Sequence, residues 1–216
     1  MSRLSSTNNG PHCGFFRPLV AALIGGALVL SASARPPKGA IGSPKPDATV
    51  VQKGDTWTII AGGADIWGQS DQCHFVSYAS SGNCTLTAKI TAIGEVGAHD
   101  WSKAALMIRA DDSVGSPHAS ISVSHCGAVE FLTRNVPGAD TRTEKIPNIA
   151  LPIFVRIART GNDFAAAYSQ DGKTWINVGQ PKTVAMKPSA LAGMAVTSHA
   201  DGSPVTAVFS NFVMKR

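Results

Sequence analysis

The chain has 216 residues, 44% of them hydrophobic and only 15% charged, with 21 Gly and a formal net charge of +5. That balance suits a compact β protein and argues against a helix-rich one, because Glu occurs only at Glu95, Glu130 and Glu144 while Val, Ile, Thr and Ser fill the periodic segments. The basic residues are dispersed with no Lys/Arg-rich run, which speaks against nucleic acid as a partner.

At the N-terminus, Arg3 and Arg17 precede the apolar run "PLVAALIGGALVL", and "SASA" follows with Ala32 and Ala34 at small-residue positions. A basic start, a short apolar centre and an A-x-A-like end predict a signal peptide over residues 1–34. The run is shorter than the roughly 20 apolar residues that a bilayer span needs, so no membrane span is expected after cleavage. An uncleaved anchor is the alternative. Export implies a secreted or periplasmic protein. Loss of Arg3 and Arg17 lowers the formal charge by two, to +3, and leaves Cys73, Cys84 and Cys126. An oxidising compartment allows one disulfide among them and leaves one thiol over. There is no C-x-x-C pair, so neither a redox motif nor a zinc knuckle is expected.

Residues 35–49 are rich in Pro, Gly and Lys and read as an extended tether. Residues 50–216 read as one domain of short strands separated by turn signals. "CHFVSY" (73–78) and "CTLTAKITAI" (84–93) flank a Ser/Gly/Asn loop and suggest a hairpin. "KAALMIRA" (103–110) reads as a buried strand. "HASISVS" (118–124) with "VEFLTR" (129–134), and "IFVRIART" (153–160) with "FAAAYS" (164–169), suggest two further hairpins. "TWINVG" (174–179) returns after "QDGK", and segments 191–199 and 206–215 close the domain. No segment of helical length keeps an apolar period of 3.6. Consecutive antiparallel strands without a long repeat predict an all-β, antiparallel two-sheet sandwich of the jelly-roll kind.

"YSQDGKTWINVG" (168–179) contains an Asp-Gly pair, the strongest short hairpin signal, because Gly accepts the positive φ of the turn. Ser169 and Asp171 can bond nearby backbone N–H groups. A calcium ion needs 6–8 oxygen ligands, and one Asp supplies too few. Turn chemistry alone accounts for the stretch, which resembles an Asp-box with one residue missing.

Taken together, "WSKAALMIRADDSVGSPHASISVS", "VEFLTR", "FVRIARTGNDFAAAYSQDGKTW", "LAGMAVTSHADG" and "AVFSNFVM", in that order, resemble a family of bacterial β-sandwich domains. These are the DUF1349 and regulation-of-enolase-like proteins of the concanavalin A-like lectin/glucanase superfamily. The resemblance covers roughly residues 50–216 and implies a concanavalin A-like jelly roll. It says little of activity, since such domains often merely accompany secreted carbohydrate-active enzymes. Ala105 stands where the family pattern has Gly, and Cys73 and Cys84 fall on strands that usually lack Cys, so no shared disulfide is implied.

Glucanases of that superfamily carry paired carboxylates spaced E-x-D-x-E on one strand, which suits retaining hydrolysis. No such motif occurs here, each Glu stands alone, and Asp111 and Asp112 point to opposite faces of an extended chain. No G-x-S-x-G elbow is present either. The chain is therefore not expected to be an enzyme, and no cofactor is expected. Two scattered histidines, His118 and His199, do not make a metal site.

Period two assigns the faces. Ala104, Leu106, Ile108, Ala119, Ile121 and Val123 point to the core; Lys103, Ala105, Met107, Arg109, His118, Ser120 and Ser122 point outward. If the three strands are neighbours, Arg109, His118 and Arg134 line one outer, concave face. A sugar suits such a face, with hydroxyls bonding polar groups and an indole stacking on the pyranose C–H surface. Trp67 and Trp101, near turns, are the aromatic candidates. The candidate ligand-binding residues are thus Trp67, Asp71, Trp101, Arg109, His118 and Arg134. Competing readings stay open: Arg109 paired with Asp71 or Asp111, Trp57, Trp67 and Trp101 as core plugs, Cys73 and Cys84 as a disulfide or as two buried thiols. The leading expectation is a non-catalytic, lectin-like carbohydrate-binding module with a polysaccharide or glycan partner. The alternative is a structural or protein-interaction sandwich with an envelope protein as partner and no small ligand.

Overall fold

The computed structural model describes residues 39–95 and 98–216. The signal peptide over 1–34 and the start of the tether lie outside the described residues. Among those described there are strands and turns but no helix long and apolar enough to cross a membrane.

Two eight-stranded antiparallel sheets face each other. The first runs β1 (Ala40–Ile41), β5 (Ser70–Ser81), β15 (Ser189–Thr197), β7 (Lys103–Arg109), β8 (His118–Ser124), β9 (Val129–Arg134), β10 (Arg142–Ile146), and β4 (Asp65–Trp67) pairs with β5 off that path. The second runs β13 (Ile176–Asn177), β12 (Asp163–Ser169), β11 (Ile153–Thr160), β6 (Cys84–Ile93), β16 (Val205–Lys215), β3 (Thr56–Ala61), β2 (Thr49–Lys53), with β14 (Lys182–Thr183) on β12.

The core between the sheets follows the period-two pattern. Ala104, Leu106 and Ile108 of β7, Ala119, Ile121 and Val123 of β8, and Val129 and Phe131 of β9 meet Leu86, Ala88 and Ile90 of β6 and Val155 and Ile157 of β11. Burying each larger aliphatic or aromatic side chain here contributes about 1.5–3 kcal/mol. Trp57 belongs to this core, 6% exposed. A second, smaller apolar layer lies on the other face of the first sheet, where Ile41, Ile66, Cys73 and Phe75 pack on Ala105, Met107, Leu132 and Ala195.

Three of the expected hairpins form: β8–β9, β11–β12 and β12–β13. The hairpin expected between 73–78 and 84–93 does not. β5 pairs with β1, β4 and β15, whereas β6 pairs with β11 and β16, so the chain crosses between sheets at Gly82. Gly82 has φ +72°, and its N–H donates to Pro188 O at 2.9 Å. A tight reversal and a corner between sheets both need such a residue, so the loop signal cannot separate them. Cys73 and Cys84 consequently sit in different sheets as free, buried thiols. β10 was not foreseen, because "RTEKI" offers an edge strand with little apolar alternation. In residues 39–49, described as part of the tether, Ala40 and Ile41 pair with His74 and Cys73.

The 168–179 stretch is a turn held by one carboxylate. Asp171 Oδ1 accepts from the N–H groups of Lys173 at 2.8 Å and Thr174 at 2.7 Å, and from Ser169 Oγ at 2.9 Å. Gly172 takes φ +72° and donates to Ser169 Oγ. The backbone donors of Lys173 and Thr174 hold the Asp171 carboxyl well below the usual range. Trp175 then lies under the Arg156 guanidinium, 4.1 Å from the ring centre.

Candidate functional site

On the outer face of the first sheet, register aligns Arg109 with His118 and His118 with Arg134 across three adjacent strands. The alternation that places Leu106, Ile121 and Phe131 inward puts these three on the opposite face. The β4–β5 hairpin folds over this face. Its base is tied to β15 by Thr197 Oγ1, which donates to Gly63 O at 2.9 Å. Its tip is tied to Arg134 of β9 and to Thr141 just before β10: Arg134 Nη2 and Thr141 Oγ1 each donate to Gly68 O at 3.0 Å. Ile66 of the hairpin, fully buried, joins the small apolar layer on the sheet.

Asp71 enters this arrangement from the hairpin. Arg134 Nη2 donates to Asp71 Oδ1 at 2.7 Å and Arg134 Nη1 to Asp71 Oδ2 at 2.8 Å, a two-pronged pair; Arg109 Nη1 adds a third bond at 3.1 Å. Two guanidiniums and one carboxylate leave an excess positive charge, which backbone carbonyls offset. Arg109 also donates to Asp111 O and Ser113 O, and Arg134 to Ala139 O and Ser116 O. His118 Nε2 lies 3.9 Å from Asp71 Oδ1. Burial pushes the His118 imidazole down to about 4, so it is neutral at pH 7, with the two guanidiniums adding to the effect and Asp71 opposing it.

The sequence placed Arg109, His118 and Arg134 on an open face and named Asp71 as a further ligand-binding candidate. The structure brings the four together and seals them: the side chains of Asp71, Arg109, His118 and Arg134 have no solvent-exposed area. Alternation gives the face but cannot show that a hairpin 40 residues upstream covers it. The four form a staple between the hairpin and the sheet, so a ligand has no access to them. Of the competing readings for Arg109, the Asp71 pair is the one formed.

The hairpin leaves part of the face uncovered. A cleft of about 370 Å³ opens at its flank, lined by Asp65, Trp67, Trp101, Lys103, Glu130, Thr143, Lys145 and His199. The two tryptophans named from the sequence both line it, Trp67 from the hairpin with 43% exposure. Lys103 donates to Asp65 Oδ1 at 2.6 Å and to Trp101 O at 3.3 Å. Asp65 Oδ2 lies 3.0 Å from His199 Nδ1. His199 holds φ +56°, rare for a residue with a side chain, and its ring packs on His99 with centres 4.3 Å apart. Glu130 is 4% exposed, and its Oε2 finds no hydrogen-bond partner among the described residues. Burial raises the Glu130 carboxyl above its ordinary value, against the lowering pull of Lys103 and Lys145. Lys145 stands opposite Glu130 in register, yet its ammonium lies over the Trp101 ring, 4.8 Å from the centre.

Sequence reasoning missed Asp65, Glu130, Lys145 and His199. Glu130 was reachable, since it alternates with Phe131 and shares a face with Leu132 and Arg134. Thr143 and Lys145 needed β10, and Asp65 and His199 needed the path of two loops. A second hollow, of about 320 Å³, opens between β10 and β14, but its Glu144 and Lys182 are already paired with each other at 2.7 Å. Among the described residues, no three His, Cys, Asp or Glu side chains converge as metal ligands would.

No family model and no curated protein matches the chain. Solved structures do. A functionally unknown protein from Saccharomyces cerevisiae superposes with a TM-score of 0.64 at 15% identity, over 82% of this chain and 95% of that one. A family 66 carbohydrate-binding module from Bacillus subtilis gives 0.54 at 12%, over 83% and 95%. A legume lectin-like domain from Entamoeba histolytica gives 0.51 at 8%, over 78% and 87%. The likeness is one of fold. It supports an all-β two-sheet sandwich; the concanavalin A-like and DUF1349 resemblance rests on the sequence motifs. Part of a GH43 protein from Bacillus licheniformis is also similar, with a TM-score of 0.58 at 13% identity, but this chain spans only 34% of it.

Proposed function

We propose that the protein is a non-catalytic, lectin-like carbohydrate-binding module, secreted or periplasmic, that holds a sugar in the cleft beside the β4–β5 hairpin. The observation that carries this reading is an exposed indole, Trp67, on the wall of a cleft that also holds a carboxyl with one oxygen unbonded, Glu130 Oε2, and an ammonium outside ion-pair distance of any carboxylate among the described residues, Lys145. An indole beside convergent hydrogen-bonding groups is what a pyranose needs. The fold likeness to a carbohydrate-binding module and a lectin-like domain points the same way.

Binding without catalysis fits the state of the two cleft carboxylates. Asp65 is taken up by Lys103 and by its neighbour's N–H, Ile66 N at 2.7 Å. Glu130 is then the one cleft carboxyl outside an ion pair, and glycoside hydrolysis uses two. One feature favours the alternative, a structural or protein-interaction sandwich of the envelope: the hairpin covers most of the outer face. The test is a glycan and polysaccharide panel against the purified protein, with and without calcium. Saturable binding that shifts tryptophan emission supports the module. Silence across plant, fungal and bacterial glycans, with an envelope protein recovered by pull-down, would overturn it.

A further inference from the structure

We infer that the cleft selects a sugar unit bearing a carboxylate, a hexuronate, over its neutral counterpart; this deepens the carbohydrate-binding reading and rests on it.

Several of the groups that line the cleft are already engaged with one another. Lys103 and Asp65 satisfy each other at 2.6 Å, and the Lys103 side chain is 3% exposed, so neither is free to choose a ligand. Trp101 has the Lys145 ammonium 4.8 Å above its ring and that of Lys103 at 5.9 Å. A ring with two ammonium groups near its centre is a holder of cations and a poor stacking platform. Trp67 differs: it is 43% exposed, and among the described residues no ring or cation lies on it. The Trp67 indole, the Glu130 Oε2 and the Lys145 ammonium are thus left for a ligand.

Lys145 is the informative one. It stands directly across from Glu130 on neighbouring strands, where opposite charges ordinarily pair. No carboxylate lies within ion-pair distance of it among the described residues. Trp101 holds the ammonium out over the cleft, positioned and uncompensated. Glu130 Oε2, nine-tenths buried and without a partner, lacks a donor of its own. A pyranose uronate meets all three needs: a C–H face for Trp67, a ring hydroxyl for Glu130 and a carboxylate for Lys145. A neutral sugar leaves the ammonium with hydroxyl oxygens only, a weaker match than a charge-assisted bond. The cleft's volume of about 370 Å³ admits one or two sugar units.

The experiment titrates polygalacturonate, its methyl-esterified form and a neutral galactan against the full protein at two salt concentrations, with Lys145→Gln and Trp67→Ala variants. Lys145 is exposed, so its substitution leaves the fold intact, which thermal unfolding checks. The expected result is tenfold or more tighter binding of the free acid than of the ester, weakened by salt, with the preference lost in Lys145→Gln. Equal binding of acid and ester, or an unchanged preference in Lys145→Gln, overturns the inference. Binding of neutral galactan alone, abolished by Trp67→Ala, overturns the charge selection and keeps the module. A protein that binds none of these or any other glycan loses both readings.

Discussion

Asp71 and Arg134 stand 63 residues apart in the chain and meet in two parallel hydrogen bonds of 2.7 and 2.8 Å, fully buried. That fork joins the covering hairpin to the sheet beneath it. The same hairpin carries Asp65 and Trp67 to the cleft, so the buried staple positions an exposed site.

Removing the carboxylate leaves Arg109 and Arg134 buried without a counter-charge. Breaking one side of a buried ion pair typically costs about 3–5 kcal/mol. Asp71→Asn, which keeps the shape and loses the charge, is therefore expected to lower unfolding free energy by an amount in that range in urea titration. A loss below about 1 kcal/mol, the scale of a surface pair, would show that the staple is not the tie described.

His118 makes stability depend on pH. Its folded value of about 4 lies below the ordinary 6.5, so the unfolded chain binds the proton first on acidification. The contribution is present above pH 6.5 and is lost as pH falls toward 4, amounting to roughly 3 kcal/mol. Glu130 has a raised carboxyl, so its own contribution runs the other way, fading as pH rises through its folded value. Asp71, Arg109 and Arg134 face His118; Lys103, Lys145 and Asp65 face Glu130. The comparison that isolates the imidazole is wild type against His118→Gln between pH 4 and 7. The variant is expected to show a flatter stability profile, and an unchanged slope contradicts a buried neutral His118.

The thiols should differ sharply in reactivity. Burial pushes Cys73 up to about 12, Cys84 is buried, and Cys126 is exposed in the β8–β9 turn. Thiolate is the reactive form. Brief alkylation of the native protein, read by peptide mass spectrometry, is expected to mark Cys126 and to spare Cys73 and Cys84. Recovery of a Cys73–Cys84 disulfide would contradict their placement in separate sheets.

The legibility of this chain stops at the boundary between strand and loop. Ala104, Leu106, Ile121 and Phe131 disclose the core by alternation, and Asp171-Gly172 discloses its turn, because both signals are local. Arg109, His118 and Arg134 were rightly placed on one face, since register follows once the strands are neighbours. Whether that face is open depends on Ile66 and Asp71, whose hairpin folds over it through contacts with residues 38, 63 and 134 positions away. No periodicity carries that information. Trp67 and Trp101 were legible as turn tryptophans; Lys145 was not, because its edge strand has one apolar residue, Ile146, and no apolar alternation. Glu130 looked isolated in sequence, whereas in space Lys103, Lys145 and Asp65 face it and only its Oε2 is left unbonded.

The most direct measurement of the central claim is glycan-panel binding by wild type, Trp67→Ala and Trp175→Ala, all checked for native unfolding temperature. Trp175 sits on the second sheet beneath Arg156, away from the cleft, and serves as the control. The account predicts saturable binding by wild type and Trp175→Ala and at least tenfold weaker binding by Trp67→Ala. Binding kept by Trp67→Ala and lost in Trp175→Ala would contradict it and move the site to the opposite sheet.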